Sequence, residues 1–125
     1  MKKTLLIVLA SIALTACGSP QTKLTDAIEN STGVLPVNEI INSDWKYLRL
    51  LPPYSQKTIL GEKFSNPADS SCIWVFLGEK DIQQSFEISR ELADCVDLPS
   101  KAFQPADAIF ILDGNKLKVR EKFQK

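Results

Sequence analysis

The chain has 125 residues, 15 basic and 15 acidic residues, and no histidine. This length is typical of a single small domain, and the balanced charge gives no indication of the strongly basic face of a nucleic-acid-binding protein. Without histidine, the commonest general base and metal ligand, any catalysis must rely on carboxylates, Lys or Ser.

The first sixteen residues have the pattern of a secretory signal peptide. Lys2 and Lys3 form a basic head, and the apolar run over 5–16 is shorter than the roughly 20 residues that span a bilayer. The run ends in Leu14-Thr15-Ala16-Cys17, which resembles the lipobox of bacterial lipoproteins. This resemblance implies cleavage before Cys17 and a membrane anchor of lipid on the Cys17 thiol.

The residue after the lipidated cysteine bears on the destination membrane. Gly18 stands where an aspartate retains lipoproteins of enteric-type bacteria at the inner membrane, so an outer-membrane location facing the periplasm is favoured. Loss of Lys2 and Lys3 leaves 13 basic and 15 acidic residues in a mature chain of 109 residues. No nucleic-acid partner is therefore expected.

Residues 17–33 are rich in small and polar side chains. They predict a lipidated flexible tether, with one or two helical turns around Leu24, Ala27 and Ile28. The folded domain is expected over 34–125.

The segment DWKYLRLL predicts the first strand of the body, ended by Pro52 and Pro53, which cannot continue a strand ladder. Ser55 is then a good helix N-cap, and Gly61 a good helix end. We therefore predict a short helix over 55–61.

The most informative stretch is CIWVFLGEKDIQQSFEISR, in which residues 82–89 alternate between apolar and polar more regularly than a helix requires. A turn at GEKD predicts a hairpin that gathers the large aliphatic residues on one face. Its expected pairs are Leu77 with Ile82, Val75 with Gln84 and Ile73 with Phe86.

Trp74 and Phe76 lie on the other face of that hairpin. The favoured interpretation is a core covered by another element. If the face is open, both aromatics together with Tyr54 form a candidate partner surface, because large aromatic residues are enriched in interface cores.

Cys72 and Cys95 are the two cysteines left after lipidation, and export places them in an oxidising compartment. A disulfide between them is the favoured prediction. Two buried free thiols and a metal site are the alternatives, and neither cysteine belongs to a Cys-x-x-Cys redox motif.

A second hairpin is predicted by AIFILDGNKLKVR, where Asp113-Gly114 suits a tight turn. The expected pairs are Phe110 with Leu117 and Ala108 with Val119, with Lys116 and Lys118 pointing outward. These lysines also exclude a calcium loop at this turn, because they stand where oxygen ligands are needed.

No set of residues indicates catalysis. Glu91, Asp94 and Asp97 are expected to form a solvated loop face, and Ser70 and Ser71 have neither a histidine partner nor a nucleophile-elbow setting. We therefore expect no catalytic residues, no metal and no cofactor.

The segment INSDWKYLRLLPPYSQKTILG, followed by the hairpin, is similar to a set of small uncharacterised bacterial lipoproteins over residues 41–90. The shared positions are Asp44, Trp45, Pro52, Pro53 and Tyr54. The resemblance implies a strand, a short helix and an antiparallel hairpin, and it carries no established activity.

Together these patterns predict a small α+β domain, mainly antiparallel sheet built from hairpins with one short helix. The favoured function is a lipid-anchored, non-enzymatic structural or protein-binding module that engages another envelope protein. An immunity, entry-exclusion or inhibitor lipoprotein is the alternative, and a small hydrolase is the third.

Overall fold

The structure is a computed structural model that describes residues 19–41, 44–67 and 69–120. The predicted signal peptide and Cys17 lie outside these residues. The fold is a small α+β domain dominated by antiparallel strands, which confirms the predicted class. Its elements are α1 (Pro20–Glu29), β1 (Val34–Pro36), α2 (Val37–Ile40), β2 (Tyr47–Leu51), β3 (Ser55–Ile59), β4 (Glu62–Asn66), β5 (Ser71–Leu77), β6 (Ile82–Ser89), β7 (Ile109–Asp113) and β8 (Lys116–Val119).

Helix α1 replaces most of the expected tether over 17–33. Ser19 is its N-cap, with the Thr22 N–H 3.4 Å from the Ser19 Oγ, and Pro20 takes the first helical position. Leu24 and Ile28 lie one turn apart on the same face, and both are buried in the core. The prediction of a flexible tether is therefore wrong from Pro20 onward, because this segment packs on the domain.

The central sheet has the order β2-β5-β6, with all strands antiparallel. Strand β2 ends immediately before Pro52, as predicted. The β5–β6 hairpin is also confirmed as two strands, and Leu77 does pair with Ile82.

The rest of the predicted β5–β6 register is wrong by one residue. Val75 pairs with Ser85, and Ile73 pairs with Glu87. The cause is an irregularity between Phe76 and Leu77, where Gln83 is an extra residue on β6. Phe86 and Ile88 therefore lie on the Trp74 face of the sheet rather than on the aliphatic face.

The predicted helix over 55–61 is also wrong, since residues 55–66 form the two-stranded hairpin β3–β4. Its two turn residues, Leu60 and Gly61, both have positive φ, at 52° and 80°. This backbone closes a two-residue hairpin loop of the primed type and is incompatible with a helix. Ile59 and the half-buried Phe64 pack the hairpin onto the central sheet.

The third sheet has the order β1-β7-β8. The second predicted hairpin is present, but its register is shifted by two residues, so that Phe110 pairs with Val119 and Leu112 with Leu117. The turn consists of Gly114 and Asn115 rather than Asp113 and Gly114, with Gly114 at φ 64°. A shift of two residues preserves the faces, and Lys116 and Lys118 are exposed as predicted.

Strand β5 is covered on both faces. On one side, Trp74 and Phe76 belong to the main core, which α1, the third sheet and Phe103 complete. On the other side, a smaller cluster lies under the β3–β4 hairpin; it contains Leu51, Ile59, Val75 and Leu77, with Phe64, Ile73 and Ile82 packed against it. The two clusters explain why β5 reads as an uninterrupted apolar run.

Within the described ranges, no helix combines the length and the apolar character that a transmembrane span requires.

Candidate partner-binding surface

The three aromatic residues considered for a partner surface differ in burial. Trp74 and Phe76 are both 0% exposed, so they belong to the core and the structure contradicts their use as a surface. Tyr54 is 72% exposed and is the most exposed large hydrophobic side chain in the described part of the chain.

Tyr54 is held in an unusual backbone conformation. Its φ is 61°, a left-handed value that costs a non-glycine residue on the order of 1–3 kcal/mol. The Tyr54 N–H donates to the Asn66 carbonyl oxygen at 2.6 Å, and the Ser55 hydroxyl donates to the Pro52 carbonyl oxygen, also at 2.6 Å. These bonds fix the turn that follows β2 and hold the Tyr54 ring away from the core.

Asn66 is the buried support of this turn. It is 1% exposed, and its Nδ2 lies 3.0–3.2 Å from three carbonyl oxygens, those of Leu51, Pro52 and Ser71. One amide thus joins the end of β2, the Tyr54 turn and the start of β5. Sequence reasoning missed Asn66, because an asparagine before a proline looks like an ordinary loop residue.

Arg90 forms a second fixed point close to Tyr54. Its Nε and Nη2 donate to the two carboxylate oxygens of Asp94 at 3.0 and 3.2 Å, and its Nη1 donates to the Asp69 carbonyl oxygen at 2.7 Å. The hydrogen bond to Asp94 is the main cause that raises the pKa of Arg90, against partial desolvation; the charges of Asp94 and Asp69 add to it. The Arg90 backbone N–H also donates to the Ser70 carbonyl oxygen at 2.9 Å, and Ser70 adjoins Ser71, whose carbonyl oxygen accepts from the Asn66 Nδ2 that supports the Tyr54 turn.

The predicted disulfide between Cys72 and Cys95 is present. It joins β5 to the loop after β6, with the two Cα atoms 6.3 Å apart, and the Cys95 N–H donates to the Cys72 Sγ. Val96, the next residue, is 47% exposed, and its N–H donates to Asp94 Oδ1 at 3.1 Å. The disulfide therefore fixes the loop that carries Asp94 and Val96.

We name the set Tyr54, Arg90, Asp94 and Val96 the Tyr54–Arg90 surface; Tyr54 and Val96 are exposed, and Arg90 and Asp94 are partly buried beside them. Tyrosine and arginine are enriched among the residues that contribute most to protein–protein binding. Here the Arg90 guanidinium and the Tyr54 backbone are held by neighbouring groups before any partner arrives, which reduces the entropy lost on binding. This arrangement suits protein recognition, since it offers one large ring, one planar cation and an adjacent apolar side chain.

The carboxylates after β6 do not share one environment. Asp94 pairs with Arg90 and its side chain is only 13% exposed, so the expected solvated loop face is wrong for this residue. Asp97 lies 3.8 Å from Lys116, and Glu91 is exposed. Across 19–41, 44–67 and 69–120, no three His, Cys, Asp or Glu side chains are grouped so as to hold a metal ion.

The Arg90–Asp94 ion pair makes the stability of the fold depend on pH in the acid range. Partial burial acts to raise the pKa of Asp94, but the hydrogen bonds from Arg90 and the Val96 N–H, with the charges of Arg90 and Lys116, outweigh it. The pKa of Asp94 is thus lower in the folded protein than its ordinary value of 3.8. The ionised pair therefore stabilises the fold above about pH 4, and this contribution is lost as the pH falls through the lowered pKa.

We expect Asp94→Asn to reduce the free energy of unfolding at pH 7, with the difference from wild type shrinking below pH 4. Urea titrations of both proteins from pH 7 to pH 2 measure this difference directly. Asp97→Asn is the matched control, because its carboxylate is about half exposed and its lysine is 3.8 Å away. A difference between Asp94→Asn and wild type that is the same at every pH would contradict the assignment.

Comparison with protein-family models, with curated proteins and with solved structures finds no match to this chain. The resemblance to small lipoproteins stays a prediction, and the functional argument rests on the residues themselves.

Proposed function

We propose that this protein is a lipid-anchored, non-enzymatic protein of the bacterial cell envelope, and that it binds another envelope protein through the Tyr54–Arg90 surface. The observation that carries the binding proposal is Tyr54 itself, an aromatic ring 72% exposed on a turn fixed by a buried asparagine. Because the Tyr54 ring is exposed, it adds no packing to the core. The strain of its left-handed backbone conformation fits a role in recognition.

The sequence supports the location. The segment ending in Cys17 has the lipobox pattern, and the disulfide at Cys72 and Cys95 suits a protein that folds in an oxidising compartment. Gly18 favours the outer membrane, with the domain facing the periplasm. Two or more acyl chains, as expected on a lipoprotein cysteine, hold a protein stably on a membrane.

The anchor is tested by Cys17→Ser. We expect this variant to lose incorporation of labelled palmitate and to leave the membrane fraction, because serine has no thiol to form the thioether. The control is Cys72→Ser with Cys95→Ser, which removes the other two cysteines and keeps the lipidation site. Palmitate that still enters the Cys17→Ser protein would overturn the anchor.

The binding surface is tested by Tyr54→Asn. Asparagine tolerates positive φ better than tyrosine, so this change removes the ring and keeps the turn. Leu60→Asn is a closely matched control, because Leu60 also has positive φ, at 52°, and is 55% exposed. We expect Tyr54→Asn to weaken partner binding by roughly 30-fold, the size of a hot-spot loss of about 2 kcal/mol.

The measurement is photocrosslinking in cells from a benzoylphenylalanine placed at Val96, beside Arg90 and Asp94 on the same surface. We expect one discrete crosslinked product in the otherwise wild-type chain and in the Leu60→Asn background, and its loss in the Tyr54→Asn background. A product that is unchanged by Tyr54→Asn would refute the assigned surface.

A further inference from the structure

The connection between the proposed anchor and the folded domain is very short. Gly18 and Ser19 alone separate Cys17 from Pro20, the first residue of α1, and Ser19 is already the helix cap. Three residue steps span at most about 10 Å, even when fully extended. A domain of about 100 residues has a radius of gyration of about 13 Å, so this connection is shorter than the domain is wide.

Helix α1 is packed into the domain, so the short connection limits how far the whole domain can move from the membrane. Leu24 and Ile28 are 0% and 5% exposed, so the helix is part of the main core. Near its start, the Gln21 Nε2 donates to the Glu87 carbonyl oxygen of β6 at 2.8 Å. A lipid on Cys17 therefore holds a fixed corner of the domain rather than a loose end.

An open groove of about 560 Å³ lies at the same corner. It is lined by Gln21, Phe64, Ile73, Ser85, Phe86 and Glu87. Three of these residues, Phe64, Ile73 and Phe86, are half-buried and apolar, and Glu87 carries the one formal charge of the lining. A mostly uncharged, partly apolar lining is compatible with contact to lipid headgroups.

We propose that the domain lies directly on the bilayer, with the start of α1 and this groove turned toward the lipid headgroups. The inference rests on the proposed lipidation of Cys17 and adds to it the surface that contacts the membrane. The occupant is the bilayer surface, because the chain between Cys17 and Pro20 is too short to turn another face of the domain to the membrane. It follows that a partner protein in the periplasm meets the domain on faces other than this groove.

The test compares the natural chain with a variant that carries twenty Gly/Ser residues inserted between Gly18 and Ser19. Both lipidated proteins carry a fluorescent amino acid at Lys23, which is exposed, and are reconstituted in liposomes whose headgroups bear an energy acceptor. We expect efficient energy transfer in the natural chain. The insertion, whose root-mean-square length is about 25 Å, should let the fluorophore move away from the headgroups and reduce the transfer.

A second label at Ser85 reports on the groove, since Ser85 is exposed and lines it. It is expected to follow the Lys23 label in both proteins. Weak energy transfer from Lys23 in the natural chain, or equal transfer with and without the insertion, would overturn the proposal that the domain lies directly on the bilayer. Strong transfer from Lys23 with weak transfer from Ser85 would overturn the placement of the groove.

Mass spectrometry of the same samples separates this inference from the proposed function. Acylated Cys17 with a distant fluorophore would contradict the membrane-facing surface and leave the anchor intact. Cys17 without acyl chains would refute both proposals.

Discussion

Phe76→Ala is expected to destabilise the domain by about 3–5 kcal/mol, as for other fully buried aromatic residues. Phe76 is 0% exposed, and the centroid of its ring lies 5.3 Å from that of Trp45 and 5.7 Å from that of Phe86. Removing it leaves a cavity at the centre of the main core, since neighbouring strands of one sheet cannot close together to fill it. The measurement is the free energy of unfolding in urea at constant pH.

Tyr54→Asn is the contrasting variant, expected to destabilise the domain by no more than about 0.5 kcal/mol, as for most surface substitutions, because asparagine also tolerates the positive φ better than tyrosine. The pair therefore separates the two roles that the sequence allowed for the aromatic residues. A loss of 3 kcal/mol or more for Tyr54→Asn would show that the ring packs in the fold and would remove the support for a binding surface.

Alternation along the chain was sufficient to predict β5 and β6, but it did not determine how they pair. Register depends on the turn, and four residues at Gly78–Asp81 with an extra Gln83 leave two registers equally plausible from the sequence. Because strand β5 is apolar on both faces, the residues of β5 could not decide which face of β6 belongs to the core.

The β3–β4 hairpin was missed for a different reason. Its strands contain few apolar residues, and Ser55 and Gly61 are as suitable for a helix as for a hairpin. The deciding contacts are Ile59 and Phe64 against Val75 and Leu77, which are distant in the sequence. A short polar segment thus takes its structure from the sheet on which it packs.

Helix α1 shows the same dependence on tertiary contacts. Its sequence predicts one or two helical turns, yet a ten-residue helix is marginal alone in water. Leu24 and Ile28 stabilise the helix only because their side chains are buried in the main core.

The candidate surface was predictable in part. Tyr54 was named from the sequence, and the disulfide at Cys72 and Cys95 was predicted from the number of cysteines and the predicted export signal. Arg90 and Asn66 were not, because each is placed by hydrogen bonds across 12 or more residues, Asn66 to the Tyr54 turn and Arg90 to Ser70. Local patterns find an exposed aromatic residue, but they do not find the groups that hold it.

Loss of the disulfide is expected to have the second large effect. The bond joins residues with a sequence separation of 23. In the chain-entropy model, losing such a cross-link lowers the free energy of unfolding by about 3 kcal/mol. For a domain of about 100 residues, such a loss lowers the melting temperature by roughly 10–20 °C.

Two measurements keep the effect of the cross-link apart from the effect of changed side chains. Reduction of the wild-type protein opens the bond and leaves both side chains in place, whereas Cys72→Ala with Cys95→Ala also removes the buried sulfur atoms. We expect both proteins to lose stability, and the alanine pair to lose more, because Cys72 and Cys95 are 0% and 3% exposed.

The reduced protein, studied below its melting temperature, also tests the Tyr54–Arg90 surface. Since Asp94 and Val96 flank Cys95, opening the bond should weaken the crosslink from position 96 without abolishing it, as Arg90 still pairs with Asp94. Unchanged melting on reduction would show that the fold does not depend on this bond, and an unchanged crosslink would show that the disulfide does not order the Tyr54–Arg90 surface.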